Sequence, residues 1–333
     1  MEQVALGLVG CGHMGRDFIR LLDGLEVIRF SAVCDVVEQQ AKSLGEQLNI
    51  PWFTSLDEML DKGDFQAVII ATPPYLHREH VEKSAAARKH IFCEKPMATN
   101  IADCDAMIAA CEKAGVKLMI GQVLRYLPTW HTVIETARSG ELGRIIGVSV
   151  ARVGGGFGSW EEPWRNSLEQ SGGLLMEINS HEIDFMRCLA GEVETVFCMA
   201  EHFIQPRTQA PDQIYVSLRF RGGALGVLQS GMVSAIGELS GRIMGEKGTV
   251  LYGHTWGHEG HVDKALFGQE PQRTLVNEIQ IEDGFRREVR EFAEAVLSDG
   301  PVTIPGSEGR ANIEVAQAAY LSAKTGKAVR LPL

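Results

Sequence analysis

The sequence contains no unbroken apolar stretch of about 18 residues, the length a helix needs to cross a bilayer, and no basic segment leads into an apolar one at its start. Neither a membrane-spanning helix nor a secretory leader is expected, and the chain reads as a cytoplasmic protein. Paired-cysteine spacing is also missing. The seven cysteines are odd in number, none forms C-x-x-C, and several sit in apolar runs, such as Cys34 after Ala32 and Val33. Small buried thiols are expected in place of disulfides or a zinc site. Positive charge is scarce: 32 Lys and Arg against 43 Asp and Glu leave a formal net charge of −11. That balance repels phosphate backbones and anionic lipid, so nucleic acid and membrane are not expected partners. Internal repeats and low-complexity tracts are absent as well.

What is present is apolar material enough for a sizeable core. Of 333 residues, 45% are hydrophobic and 23% charged, which excludes a disordered chain and, at roughly 100–200 residues per domain, suggests two domains. In the first third, short β-branched runs (residues 4–9, 30–34, 67–71, 91–93, 117–121) alternate with helical patterns (15–25, 37–48, 80–88, 101–114). Strand–helix alternation of this kind predicts a doubly wound parallel sheet of five or six strands. From about residue 145 the runs lengthen (145–153, 193–201, 213–220, 225–233) and predict an α+β domain with a mostly antiparallel sheet. Helical stretches at 173–190, 284–297 and 307–325 accompany it. The domains expected are 1–122 and 123–333, and the glycines Gly154, Gly155, Gly156 and Gly158 suggest a mobile loop.

The segment Gly10, Cys11, Gly12, His13, Met14, Gly15 is G-x-G-x-x-G between a strand pattern and a helical one. Gly10 would permit the tight turn, Gly12 would let backbone N–H groups approach a pyrophosphate, and Gly15 would let helix and strand pack closely. The next strand pattern ends at Asp35, close to the expected spacing for the acid that accepts from the adenosine ribose. Its charge opposes a 2′-phosphate, and no arginine follows it within residues 36–40, so NAD is expected over NADP. The run Ala71, Thr72, Pro73, Pro74, Tyr75, Leu76, His77 closes the third main strand at the carboxyl edge of the sheet, where it would line the dinucleotide crevice. His77 alone reads as a turn or surface histidine. Glu94, Lys95 and Pro96 end another strand at the same edge. By spacing they are a surface ion pair or a lysine placed to hold positive charge near a developing alkoxide.

In the second half, Glu177, His181 and Asp184 recur at i, i+4 and i+7, one stripe of a helix flanked by Leu174, Ile178, Phe185 and Leu189. A histidine with carboxylates a turn to either side suits general acid–base work, and a solvated helix face has the same spacing. His254, His258 and His261 form a second cluster, but Gly253, Gly257 and Gly260 argue for a loop there. Trp160, Glu161, Glu162, Pro163, Trp164 and Arg165 offer aromatics that could stack on a sugar or nicotinamide, or simply anchor a loop.

In order and together, several of these segments resemble the Gfo/Idh/MocA oxidoreductases, the family of glucose–fructose oxidoreductase and inositol dehydrogenase. They are Gly10 to Gly15, Ala71–Thr72–Pro73, Glu94–Lys95–Pro96, the run from Gly121 to Tyr126, Gly140 to Gly143, and Gly172 through Asp184. The resemblance spans nearly the whole chain. It implies a Rossmann domain followed by an α+β domain with a large open sheet, NAD as cofactor, no metal, and a homodimer or homotetramer formed through that sheet. The family's catalytic lysine falls on Lys95, and its glycines followed by D-x-x-x-H fall on 172–181, with His181 as acid/base. Glu177 stands where the family usually has aspartate and Asn179 where glycine is common. The resemblance implies Lys95, His181 and Glu177 as catalytic residues. It implies His13, Met14, Thr72, Pro73, His77, Glu94, Gln122, Trp164 and Arg165 as cofactor contacts beside the glycines and Asp35, with Arg125 and Asp184 on substrate. The expected activity is NAD-dependent hydride transfer with a sugar, polyol or derivative. An NAD-retaining oxidation–elimination that cleaves a glycosidic bond, as some relatives perform, and a non-catalytic dinucleotide sensor are the alternatives.

Overall fold

The computed structural model describes residues 2–155, 162–204, 208, 210–255 and 259–333, without the side chains of residues 155, 254 and 255. The chain divides into two compact units, Met1–Val123 with Glu282–Ala311, and Leu124–Ile281 with Asn312–Leu333.

In the first unit, strands β1 (Val4–Val9), β2 (Ile28–Cys34), β3 (Trp52–Phe53), β4 (Ala67–Ile70), β5 (His90–Glu94) and β6 (Leu118–Gly121) form a parallel sheet in the order β3-β2-β1-β4-β5-β6. Crossovers run through α1 (His13–Leu21), α2 (Glu38–Leu48), α3 (Leu56–Lys62), α4 (His77–Ala86) and α5 (Ile101–Ala114). Every residue of β1 and β4 is buried, as expected where helices cover both faces of a parallel sheet. Helix starts are set locally. Ser55 accepts from the Glu58 amide at 3.4 Å and Asn100 from the Asp103 amide at 2.8 Å, each satisfying a donor that the first helical turn leaves open.

The second unit opens with α6 (Pro128–Arg138) and the long strand β7 (Ile145–Gly155), followed by α7 (Leu168–Ser171), α8 (Gly173–Glu177) and α9 (Ser180–Ala190). Strands β8 (Val193–Glu201), β9 (Gln213–Phe220), β10 (Leu225–Gly231), β11 (Val233–Gly245), β12 (Gly248–Thr255), β13 (His261–Leu266) and β14 (Gln272–Leu275) come next. With β15 (Val329–Arg330) they build a nine-stranded sheet, β14-β13-β12-β11-β7-β10-β9-β8-β15. Only the β7–β10 pair is parallel among the described pairings. On β9 the alternation is strict: Ile214, Val216, Leu218 and Phe220 are buried, while Tyr215, Ser217 and Arg219 are exposed. One face of the sheet thus packs beneath α8 and α9, and the other presents Phe197, Met199, Tyr215, Leu225, Val227 and Met244 outward.

Three sequence expectations are corrected here. The stretch 173–190 is two helices: the amides of Ile178 and Asn179 both bond the Leu174 carbonyl, at 3.0 and 2.9 Å. That doubled bond inserts a residue between α8 and α9 and ends the continuous stripe. His254 and His261 belong to strands β12 and β13, whereas His258, like Gly156, Gly158, Trp160 and Glu161, lies outside the described residues. The carboxy-terminal part also does not belong wholly to the second unit. Helix α10 (Gly284–Leu297) joins the first, where it buries Val289, Phe292 and Ala293 and packs on β1 and β5. Helix α11 (Gly306–Thr325) follows.

All seven cysteines are free thiols, and all but Cys188 are buried. Among the described residues no helix is long and apolar enough to cross a membrane, and no group of His, Cys, Asp and Glu is arranged to hold a metal ion.

Candidate active site

In the glycine loop of the first unit, Gly10 makes the turn and Gly15 the close packing read from their spacing. Gly10 has φ +95°, and a Cβ there would stand 2.7 Å from the Ala71 carbonyl oxygen. A Cβ on Gly15 would stand 1.9 Å from the Gly10 carbonyl oxygen, inside any allowed contact. Gly12 differs: a Cβ there would meet nothing within 4 Å, so the space beside it is open. This open side adjoins the first residue of α1, whose opening turn carries no acidic residue. A helix N-terminus whose opening turn carries no acidic residue suits a pyrophosphate. Asp35 accepts from the Cys11 amide at 2.7 Å and the Val37 amide at 2.8 Å, which ties the loop to the end of β2. Burial, and then the Asp35 carboxylate, push the Cys11 thiol up to about 12, so it remains protonated.

Next along the sheet edge is the turn at Thr72 and Pro73. Thr72 Oγ1 lies 3.0 Å from His80 Nδ1, and its carbonyl lies 2.7 Å from His77 Nε2. The structure corrects the expectation for His77. It is fully buried, and its Nδ1 faces the Pro96 and Met97 carbonyls at 3.0 and 3.2 Å. With no exposed atom it cannot touch a cofactor; it clamps the Thr72 turn to the segment after Lys95. Both nitrogens face carbonyls, which favours the charged ring, but desolvation outweighs those bonds and depresses the pKa to about 4. At neutral pH the ring donates to one side only.

Glu94 is buried at the end of β5, and its Oε2 accepts from the Lys95 amide at 3.1 Å. Lys95 follows at the carboxyl edge, partly exposed, on a cis bond to Pro96. Glu94 pairs in register with Gly121 of β6, so Gln122 emerges beside it, nearly fully buried. The Oε1 of Gln122 has no partner among the described residues, a buried acceptor that an amide N–H of a ligand could satisfy. These features fit a dinucleotide.

The second unit holds the other candidates. Gly172 and Gly173 both take positive φ, +73° and +66°, and set α8 on its course; a Cβ on Gly173 would stand 2.5 Å from the Tyr320 hydroxyl oxygen. That hydroxyl accepts from the Leu175 amide at 3.1 Å. Glu177, at the end of α8, is buried and faces Arg165 at 3.4 Å; the Arg165 guanidinium lies 4.8 Å from the Trp164 ring centre. His181 occupies the first turn of α9, half-buried. Asp184 departs from expectation. It is 1% exposed, takes a two-pronged bond from Arg125 at 2.7 and 2.6 Å, and accepts from Asn312 at 3.0 Å. With both oxygens engaged it anchors Arg125 and is not placed to bind a substrate hydroxyl. Asn312 in turn accepts from Arg187 at 2.8 Å, and Arg187 donates to Glu192 at 2.7 Å. Neither Asn312 nor Arg187 was legible in the sequence, because their partners lie up to 128 residues away.

A family model described as "Oxidoreductase family, NAD-binding Rossmann fold" matches residues 4–122, and one described as "Oxidoreductase family, C-terminal alpha/beta domain" matches residues 135–331. A 2,7-anhydro-N-acetylneuraminate hydratase of Escherichia coli is 30% identical over 84% of this chain and 75% of its own length. The WlbA dehydrogenase from Bordetella pertussis, solved with NADH and UDP-GlcNAcA, superposes with a TM-score of 0.88 at 28% identity over 100% of both chains. The aldose-aldose oxidoreductase from Caulobacter crescentus does so with a TM-score of 0.89 at 29% identity over 99% of this chain and 100% of its own. The chain therefore belongs to the Gfo/Idh/MocA oxidoreductase family, with an NAD-binding Rossmann domain and the family's C-terminal alpha/beta domain.

Proposed function

We propose that this enzyme oxidises or reduces a hydroxyl-bearing carbon of a sugar, polyol or derivative, with Lys95 and His181 serving the same substrate oxygen. The observation that carries the reading is the position of Lys95. It directly follows β5 at the carboxyl edge of an NAD-binding sheet, the edge at which such sheets bind ligand. NAD, when bound, supplies a hydride acceptor. The residues that hold it are Gly10, Gly12, Gly15, His13 and Met14 at the loop, Asp35 at the ribose, Thr72 and Pro73 at the crevice, and Glu94 and Gln122 beside Lys95.

The chain's own chemistry divides between charge and proton. Lys95 donates from its ammonium to the substrate oxygen and stabilises negative charge growing there. His181 takes the hydroxyl proton at an imidazole nitrogen and returns it in the reverse direction. Glu177 holds Arg165, and through it Trp164, so these two act as a prepared rim and Glu177 as their positioning group. Arg125, fixed by Asp184, is the arginine that meets substrate.

The similarity to an anhydro-sugar hydratase favours a second reading, because that name specifies addition of water without net redox change. In this reading oxidation is transient, it acidifies a neighbouring C–H, a C–O bond is eliminated, water adds to the double bond so formed, and the electrons return to the carbon first oxidised. Incubating the purified protein with NAD and a sugar and polyol panel separates the two readings. Stoichiometric reduced nicotinamide supports the dehydrogenase. Product formation with NAD retained and no net reduction supports the second. The outward apolar side chains of the second sheet, Met199, Tyr215, Leu225 and Val227 among them, support a homodimer or homotetramer through that face.

A further inference from the structure

Glu288 stands in the middle of α10 with no exposed surface, and neither of its carboxyl oxygens has a hydrogen-bond partner among the described residues. A buried carboxyl left in that state is costly unless it is protonated or bridged by a buried water. Register places it against the end of β5. Phe92 and Glu94 are two residues apart on that strand and share a face. A Cβ on Gly121 would stand 3.2 Å from the Phe92 ring and 3.3 Å from Glu94 Oε1, so both side chains lean over the same glycine. Phe292 meets Phe92 edge-on with ring centres 5.8 Å apart. Glu288 is one helical turn before Phe292 on the same face of α10.

The charged groups that bear on Glu288 are anionic: Glu94 from β5, Asp283 from the cap of α10, and Glu291 from the helix itself. Asp283 is occupied by the amides of Phe285 and Arg286, at 3.0 and 3.1 Å. Glu291 is occupied by Arg287 and Thr303, at 3.1 and 2.8 Å. Of the two buried carboxyls, Glu94 has a backbone N–H to stabilise its charge and Glu288 has none, so the shared proton belongs on Glu288. Burial and the neighbouring carboxylates push the Glu288 pKa well up, in the same direction.

We propose that Glu288 is a positioning residue for the Glu94–Lys95 corner: it carries a proton at neutral pH and donates it, directly or through one buried water, as a hydrogen bond to Glu94. Glu94 then stays fixed as the acceptor of the Lys95 amide, and the lysine leaves the strand in one direction. The inference rests on the reading that Lys95 serves the reaction.

The test compares Glu288→Gln and Glu288→Leu with the wild-type full-length protein carrying NAD. Infrared difference spectra at neutral pH should show the carbonyl stretch of a protonated carboxyl that is lost in E288Q. E288Q, which keeps a donor, should hold kcat and KM within about threefold of wild type, whereas E288L should lose about tenfold or more in kcat. The melting temperature of E288Q should gain on wild type as pH rises from about 5 to about 8, because folded wild type keeps a proton that the unfolded chain has released. Absence of the infrared band, equal losses in E288Q and E288L, or wild-type turnover in E288L would each overturn the proposal. Full activity in Lys95→Ala marks failure of the functional reading instead, since the infrared band does not depend on turnover.

Discussion

Asp184 grips Arg125 through two parallel bonds, 2.7 and 2.6 Å long, with the carboxylate 1% exposed and the arginine side chain 14% exposed. This pair makes Asp184, which the family resemblance would assign to substrate, the anchor of Arg125. Breaking the pair from one side leaves an uncompensated buried charge. Asp184→Ala is expected to cost about 3–5 kcal/mol of stability, measured by urea denaturation of the two proteins at one pH. A loss under about 1 kcal/mol would show that the pair is solvated.

The roles of Gly12 and Gly15 in the glycine loop separate by mutation. Gly12→Ala meets no protein atom within 4 Å, so the variant should melt with wild type yet bind NAD at least about tenfold more weakly, because the methyl group occupies the open side. Gly15→Ala puts a methyl 1.9 Å from the Gly10 carbonyl oxygen and should lower the melting temperature itself. Calorimetry with NAD and thermal melts of both variants check the contrast.

His77 should leave a mark on acid stability. Its pKa falls from the ordinary 6.5 to about 4 in the folded protein. Between these values the unfolded chain binds a proton that the folded chain refuses, so stability falls as pH drops through that window and is unaffected above it. The full effect is about 3 kcal/mol, at about 1.4 kcal/mol per pH unit. His77→Gln should flatten this part of the stability–pH curve; an unchanged acid limb would place the histidine's titration elsewhere.

Replacing His181 with alanine should lower turnover by roughly 10²–10⁴ while NAD still binds, if it carries the substrate proton. Stopped-flow measurement of the nicotinamide signal on an accepted substrate gives the number. Wild-type turnover in that variant removes the histidine from the mechanism.

Local signals were readable from the sequence and distant ones were not. The glycine loop is a matter of spacing within six residues, and the turn at Gly10 and the close packing at Gly15 are where that spacing put them. The strand–helix alternation of the first unit likewise survived, since each buried parallel strand announces itself as an apolar run. Periodicity at a fixed angle per residue could not detect the doubled bond to the Leu174 carbonyl that separates α8 from α9. His77 looked like a turn residue because two of the three carbonyls it faces lie 19 and 20 residues further on. Glu288 lies within the helical stretch 284–297 read from the sequence, and only the packing of α10 on β5 shows it buried.

The most direct test of the account is a double-mutant cycle on kcat with Lys95→Ala, His181→Ala and both together. If ammonium and imidazole act on one oxygen, the double variant will be about as slow as the slower single variant, the non-additivity expected of groups that act as a unit. Losses that multiply as independent factors would contradict a shared oxygen and with it the proposed reaction.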